Sequence, residues 1–372
     1  MKQKIIFLLS HQPNPRFIKQ INFLAKSRDV HVLHFKRACL KDLPESLYAK
    51  NVNIECLFKI KNLTAYTIFN RFFQYVKSIK RLNQIFRDNN FKIIIFNNID
   101  MYVLFAVSTI FKKIDITKII EISDLIYLHE KNNLISKIFK FLEKIVFKKI
   151  DKAIFTSPKF FTEYYKNIFN GDYFILENKP LSNAMPNIES HKKNDNIVIG
   201  IVGLLLQLET YQYLFEFVKN NDSYKVHVHG KGLYEKEINE YAKNNKNIEF
   251  FGEYNFFEDS SNIYSSLDII YMPYSLKIQS LNNKLALPNK LYESMYFKVP
   301  IITSRHTFLG EIVKKYGIGQ QIDYSDKTEI KNAIELIVRN KKTFRNNFNK
   351  IDRDVYIADK DYNNLSIFLG LE

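Results

Sequence analysis

The chain has 372 residues, of which 46% are apolar and 15% aromatic, with only 10 glycines and 9 prolines. That is more than one typical domain and enough apolar mass for large cores, which excludes wholesale disorder, collagen and low-complexity scaffolds. The formal net charge of +16 is uneven: residues 1–150 hold 27 Lys and Arg against 11 Asp and Glu, and the remainder hold 28 of each. A basic half followed by a neutral half points to an anionic partner for the first half alone, either nucleic acid or an anionic membrane leaflet. The two cysteines, Cys39 and Cys56, are too few for a disulfide framework and suit a reducing cytosol. No run of about 18 uncharged apolar residues indicates a membrane span, and the opening MKQKIIFLLSHQPNPRF does not read as a cleavable signal.

Along the chain, short apolar runs of strand length alternate with helix-period stretches. KIIFLL, the loop SHQPNPR, the helical FIKQINFLAKS and VHVLHF come first. NIECLF, a basic and aromatic stretch from Tyr66 to Arg87, FKIIIFNN, MYVLFAVSTIFKK and KIIEIS follow. The helix LISKIFKFLEKIVFKK then leads into KAIFTS. Buried strands separated by helices predict a parallel sheet covered on both faces. The polar, proline-bearing stretch from Asn178 to Asn196 has no periodicity and reads as an interdomain connection, with the linker proper at 181–196.

After it the alternation restarts with NIVIGIVG, TYQYLFEFVKN, YKVHVHGKG, KEINEYAKN, IEFFGEY, DIIYMPY, PNKLYESMYFK and VPIITS. The prediction is two doubly wound Rossmann-like α/β domains facing across a cleft: 1–180 and 197–350, with 351–372 packing back toward the first domain. Ligands of such sheets sit beyond the carboxyl ends of the strands, so the turns after strands carry the candidates.

Pro288 suits the first position of a helix, which puts Asn289 and Lys290 in its first turn. Free N–H groups, the positive dipole end and the Lys290 charge make an anion site suited to a diphosphate. Glu293, three residues after Lys290, shares its face and could accept from vicinal hydroxyls such as those of a ribose. An exposed Lys and Glu ion pair is the plainer reading of the same spacing. Gly203 and Gly230 sit where strands end, with Lys231 beside them, and glycine there lets backbone approach phosphate or sugar, though any tight turn needs it too; after Gly252, Glu253 and Tyr254 could hold a nucleotide base through backbone groups or form an ordinary turn. In the first domain the turn after KIIFLL brings His11, Asn14 and Arg16 to the cleft as candidate ligand contacts, with His11 able to accept a proton near neutral pH or simply a solvated loop histidine, and Asn98 and Asp124 hold equivalent strand-end positions.

Taken together, PNKLYESMYFKVPIITS resembles the donor-binding segment of glycosyltransferase family 4 and its relatives, proteins of the GT-B type. KKIDKAIFTS, NIVIGIVG, VHVHGKG, IEFFGEY and SSLDIIYMPYS are similar to further pieces of that family, in the family's order. The resemblance implies a retaining, metal-independent transferase without a cofactor. Its donor would be a UDP- or GDP-linked sugar, with Lys290 on the diphosphate and Glu293 on the ribose. The setting it implies is surface polysaccharide or glycoconjugate synthesis, with a glycan or lipid-linked acceptor held by the first domain through His11, Asn14, Arg16 and Asn98, and with Asp124 as the carboxylate on the acceptor hydroxyl. Two departures stand out: the family's usual second glutamate, eight residues before Glu293, is Leu285, and Gln207 lies where a cation is usual. A non-catalytic scaffold of the same fold is therefore a rival reading, as is a sugar-nucleotide epimerase or hydrolase.

Other patterns carry less. Asp352 and Asp354 form a D-x-D outside a strand-end turn, and His227 and His229 share a strand face without a third metal ligand. Neither a nucleophile elbow nor a P-loop is present, and no nucleic-acid motif accompanies the charge. In LISKIFKFLEKIVFKK, Lys137, Lys140, Lys144 and Lys148 segregate from the apolar residues, which is the pattern of an interfacial membrane helix. The expected location is the cytoplasmic face of a membrane, held peripherally.

Overall fold

The computed structural model describes residues 3–36, 44–59, 68–112, 114–189, 195–219, 221–277 and 280–371, with side chains in the helix from Ile68 described from Phe73 onward. Cys39, Tyr66 and the side chains of Arg71 and Phe72 lie outside what is described. The chain forms two compact units, Met1–Leu176 with Asp361–Glu372, and Glu177–Lys360.

The first unit is built on strands β1 (Lys4–Leu9), β2 (Asp29–Lys36), β3 (Val52–Lys59), β4 (Phe91–Phe96), β5 (Thr117–Ile122), β6 (Lys152–Phe155) and β7 (Asp172–Ile175). Its helices are α1 (Pro15–Ala25), α2 (Ile68–Asp88), α3 (Ile99–Ser108), α4 (Tyr127–Glu130), α5 (Leu134–Phe147) and α6 (Pro158–Glu163). The sheet is parallel throughout, in the order β3-β2-β1-β4-β5-β6-β7. Central β1 is apolar because both faces are covered: Ile5 to Leu9 have no exposed surface. Helix α1 starts where the chain dictates, with Asn14 accepting from the Phe17 N–H and Pro15 in the first turn.

The second unit holds β8 (Ile197–Leu204), β9 (Tyr224–Lys231), β10 (Ile248–Gly252), β11 (Ile269–Tyr271), β12 (Ile301–Ser304) and β13 (Gly319–Ile322). Around them lie α7 (Leu208–Val218), α8 (Glu235–Lys243), α9 (Phe256–Ser265), α10 (Ser280–Leu285), α11 (Asn289–Phe297), α12 (Phe308–Tyr316), α13 (Lys327–Arg339) and α14 (Lys341–Asn349). This sheet is also parallel, ordered β10-β9-β8-β11-β12-β13. One apolar cluster, including Ile199, Ile201, Val226 and Val228, covers one face of the sheet; another, including Val198, Tyr264 and Leu267, covers the other. Helix α15 (Asp359–Leu369) carries the chain back, and its residues from Asp361 belong to the first unit. There the Tyr362 ring lies 4.9 Å from that of Phe23, and the Phe368 ring stacks on Phe174.

In each sheet the strand order reverses once, between β1 and β4 in the first unit and between β8 and β11 in the second. The crevice outside such a reversal is where open α/β sheets bind ligands. Among the described residues no helix is long and apolar enough to cross a membrane.

Candidate active site

The donor-side candidates converge at the carboxyl ends of β8, β9 and β10 and the start of α11. Gly203 and Gly230 face each other in register at the ends of β8 and β9, both at positive φ. A Cβ on Gly230 would lie 1.8 Å from the Gly203 carbonyl oxygen, and one on Gly203 would lie 3.0 Å from Lys290 Cε. Only glycine lets the two strand ends approach and the lysine stem run across them. Pro288 is not the first helical residue, as its sequence suggests, but the residue that precedes it: its ψ of 150° is extended, and α11 begins at Asn289.

Lys290 lies in the first turn of α11 and donates to Tyr254 Oη at 2.6 Å and to Glu293 Oε2 at 2.8 Å. Its ammonium also lies 5.3 Å from the Tyr254 ring centre and 6.0 Å from that of Phe256. Burial would lower the Lys290 pKa, but Glu293 and Tyr254 outweigh it and hold the pKa above its usual value. The lysine is therefore fully charged at neutral pH. Glu293 is buried and accepts from three donors: Lys290, the Tyr264 hydroxyl at 2.7 Å and Asn289 Nδ2 at 2.9 Å. A carboxylate has about four lone-pair positions, so roughly one remains for a further donor.

Around this centre, His229 is buried at the end of β9 with its ring stacked 4.4 Å from Phe251. Burial, helped by neighbouring His227 and opposed by Asp259, pushes its pKa down to about 4, so the ring is neutral near pH 7. Among the described residues its Nε2 has no hydrogen-bond partner. Lys231 and Glu253 pair with each other, both exposed, and Gly252 turns the chain at φ 76°. Gln207 is occupied: its Oε1 accepts from the Ser275 N–H at 2.6 Å, tying the loop after β8 to the loop after β11. Leu285 is buried.

The first unit repeats that tie. The Ser10 N–H donates to Asn97 Oδ1 at 2.9 Å, and Asn97 and Asn98 both donate to Ser10 Oγ, joining the loops after β1 and β4. Asn14 caps α1. Arg16 is buried in an ion pair with Glu121, which has no exposed surface, and bonds Ser123. The His11 ring N–H donates to the Gln12 carbonyl at 2.7 Å, and Asp124 is exposed just past β5. Arg16 and Asn14 thus have structural duties; His11 is half-buried and Asp124 exposed.

The site also has members that sequence reasoning missed. Tyr264 stands in the serine-rich run SSNIYSSL with no local sign of a role, and only the closeness of α9 to α11 shows its hydroxyl on Glu293. Tyr254, a candidate through its backbone groups, engages instead through its hydroxyl, which holds Lys290. Asp352, from the D-x-D, instead accepts from the Asp354 N–H in a short turn.

Residues 185–355 match the model of the family described as Glycosyl transferases group 1. By sequence, no curated protein matches. Among solved structures the chain is similar to sucrose-phosphate synthase from Thermosynechococcus elongatus, at 13% identity and a TM-score of 0.75, over 99% of this chain and 98% of that one. It is also similar to HepE from Anabaena in complex with UDP-glucose, at 14% identity and a TM-score of 0.70, over 99% of each chain. The lipopolysaccharide outer core galactosyltransferase WaaB aligns at 12% identity with a TM-score of 0.67, over 99% of this chain and 100% of that one. The fold is thus the two-domain GT-B fold, and the resemblance to family 4-like glycosyltransferases is borne out.

Proposed function

We propose that this protein transfers a sugar from a nucleotide-sugar donor, UDP- or GDP-linked, to a glycan acceptor. The observation that carries the reading is the placement of Lys290: charged, in the first turn of α11, lying across Gly203 and paired with a carboxylate on its own helix. Without donor the ammonium is neutralised by Glu293. A bound diphosphate would recruit it, leaving Glu293 a free position for a ribose hydroxyl. As the bond from the sugar to the diphosphate breaks and one to the acceptor oxygen forms, charge builds on the departing phosphate, which takes up the proton that the acceptor hydroxyl releases. Lys290 and the free N–H groups of α11 oppose that charge, so catalysis is mainly electrostatic. A planar base would find a ring surface in the stacked pair of neutral His229 and Phe251, next to Glu253 and Tyr254. UDP is the first nucleotide to test, because HepE was solved with UDP-glucose. Retention of configuration, independence of metal, a lipid-linked acceptor and a role in surface glycan assembly complete the proposal, with His11 and Asp124 as acceptor-side residues.

With purified protein, Lys290→Ala should lower sugar transfer about 100-fold or more. An unchanged rate rejects the site. Buried Leu285 and the engagement of Gln207 favour a second reading, a scaffold that keeps the fold without the chemistry. Calorimetry showing no binding of any UDP- or GDP-sugar supports that scaffold, and product analysis with and without acceptor separates transfer from epimerisation or hydrolysis.

A further inference from the structure

Helix α5 is turned inside out. Its buried face carries Ser136 and Glu143 beside Val146 and Phe147, while Leu134, Ile135, Ile138, Phe141, Leu142 and Ile145 are exposed, Leu134 to 73% and Phe141 to 64%. At about 100° per residue those six fall within roughly 120° of arc, one continuous apolar stripe. Lys137, Lys144 and Lys148 form a row along one flank of it. Lys140 lies apart, donating to the Lys131 carbonyl at the end of α4.

The rotation of the helix is fixed from within. Glu143, 1% exposed, accepts from the Tyr165 hydroxyl at 2.7 Å, the Tyr164 hydroxyl at 3.0 Å and, at 3.1 Å, His129 Nε2. Turning the apolar stripe inward would swing this carboxylate out of its place and leave the buried Tyr165 hydroxyl and His129 ring without their acceptor. The exposed stripe is therefore a stable feature of the fold, and monomeric soluble proteins seldom present so large an apolar patch without a partner.

The patch extends beyond α5. Right-handed crossovers put α2, α3 and α5 on the same face of the sheet, and α3 packs against both neighbours. Helix α3 exposes Val103 and Val107, with Ile110 and Phe111 just past its end, and α2 exposes Phe73 and Val76 beside Lys77 and Lys80. This face belongs to the half of the chain that carries the whole excess of positive charge.

We infer that this face docks on an anionic lipid bilayer, with the α5 stripe in the acyl boundary and Lys137, Lys144 and Lys148 at the lipid phosphates. An apolar stripe flanked by long basic side chains matches both layers of such a surface, because lysine stems can lie along apolar surface while the ammonium reaches the headgroups. A second copy of the chain fits worse: a two-fold contact through α5 would bring its lysine-flanked stripe against an identical one, and the one carboxylate of that helix, Glu143, is buried on its other face. The inference deepens the proposed lipid-linked acceptor by naming the surface that would carry it, yet docking does not require the transfer chemistry.

Co-sedimentation of the full chain with vesicles tests this directly, using phosphatidylcholine alone and equal parts of phosphatidylcholine and phosphatidylglycerol. At low salt the protein should pellet with the anionic vesicles at least about tenfold more tightly than with the neutral ones, and added salt should weaken it. The triple variant Lys137→Gln, Lys144→Gln, Lys148→Gln should remove most of the anionic preference. The triple variant Leu134→Ser, Ile138→Ser, Phe141→Ser should weaken binding to both compositions. Circular dichroism and sugar-nucleotide calorimetry on each variant check that the fold is kept. Wild-type protein left in the supernatant with both vesicles overturns the inference, and so does a patch-dependent dimer in analytical ultracentrifugation with no vesicle binding. A wild type that pellets but binds no sugar nucleotide overturns the transferase reading alone.

Discussion

Gln207 and Ser275 tie together the two loops at the point where the second sheet reverses its strand order, the Ser275 N–H donating to Gln207 Oε1 across 2.6 Å. Ser10 and Asn97 make the corresponding tie in the first sheet. A ligand crevice between such loops keeps its width only if they hold still, so a side chain that replaces an expected cation acts here as a brace. Gln207→Ala leaves the Ser275 N–H without this partner, a loss of about 1–3 kcal/mol. Urea unfolding should register that loss, and the donor Kd measured by calorimetry should rise; a wild-type affinity with lowered stability would show that the brace serves the fold alone.

Gly203→Ala probes the other wall. The residue sits at φ 115°, a backbone conformation that costs a non-glycine residue about 1–3 kcal/mol, and the added methyl would press on Lys290 Cε. Stability should fall by that order and nucleotide-sugar affinity with it. Gly252→Ala, at φ 76° but with open space around it, should cost stability without moving Lys290. Equal effects of the two on donor affinity would mean that Gly203 does not position the lysine.

His229 gives the second unit an acid sensitivity of known sign. Its pKa is near 6.5 in an unfolded chain and about 4 in the native one, so between these values the unfolded state holds the additional proton. Stability therefore falls as pH drops from about 6.5 to about 4. In His229→Gln that fall should shrink, read as the difference in unfolding midpoint between neutral and mildly acidic buffer. Burial also lowers His227 and His31, which leaves a residual slope. An undiminished slope would show that His229 is not its source.

Much of this was readable from the amino-acid order. Strand-length apolar runs gave the alternation because strands buried on both faces need no polar residues, and the three-residue spacing of Lys290 and Glu293 put them on one helical face. What escaped depends on distant approaches. Nothing local says that Tyr254 and Tyr264, 36 and 29 residues away in the chain, put hydroxyls on that pair. The short strand β7 and the elements after Ser304 lack the long apolar runs that marked the others. Helix α5 shows the limit most clearly: its period separates lysines from apolar residues, but which side faces the core was decided by Glu143 meeting His129, Tyr164 and Tyr165. The polar stretch suggested a linker at 181–196, whereas the compact units divide between Leu176 and Glu177.

The return of α15 to the first unit sets an order of events during synthesis. Residues 177–360 are contiguous, so the second unit has all its parts as soon as they have left the ribosome. The first unit does not. Until Tyr362, which has no exposed surface, arrives beside Phe23, and the Phe368 ring and carbonyl arrive at Phe174 and Lys152, one face of the older half stays uncovered. The part made first is thus completed last, and through the translation of some 180 further residues its unfinished face is a surface for chaperones to hold.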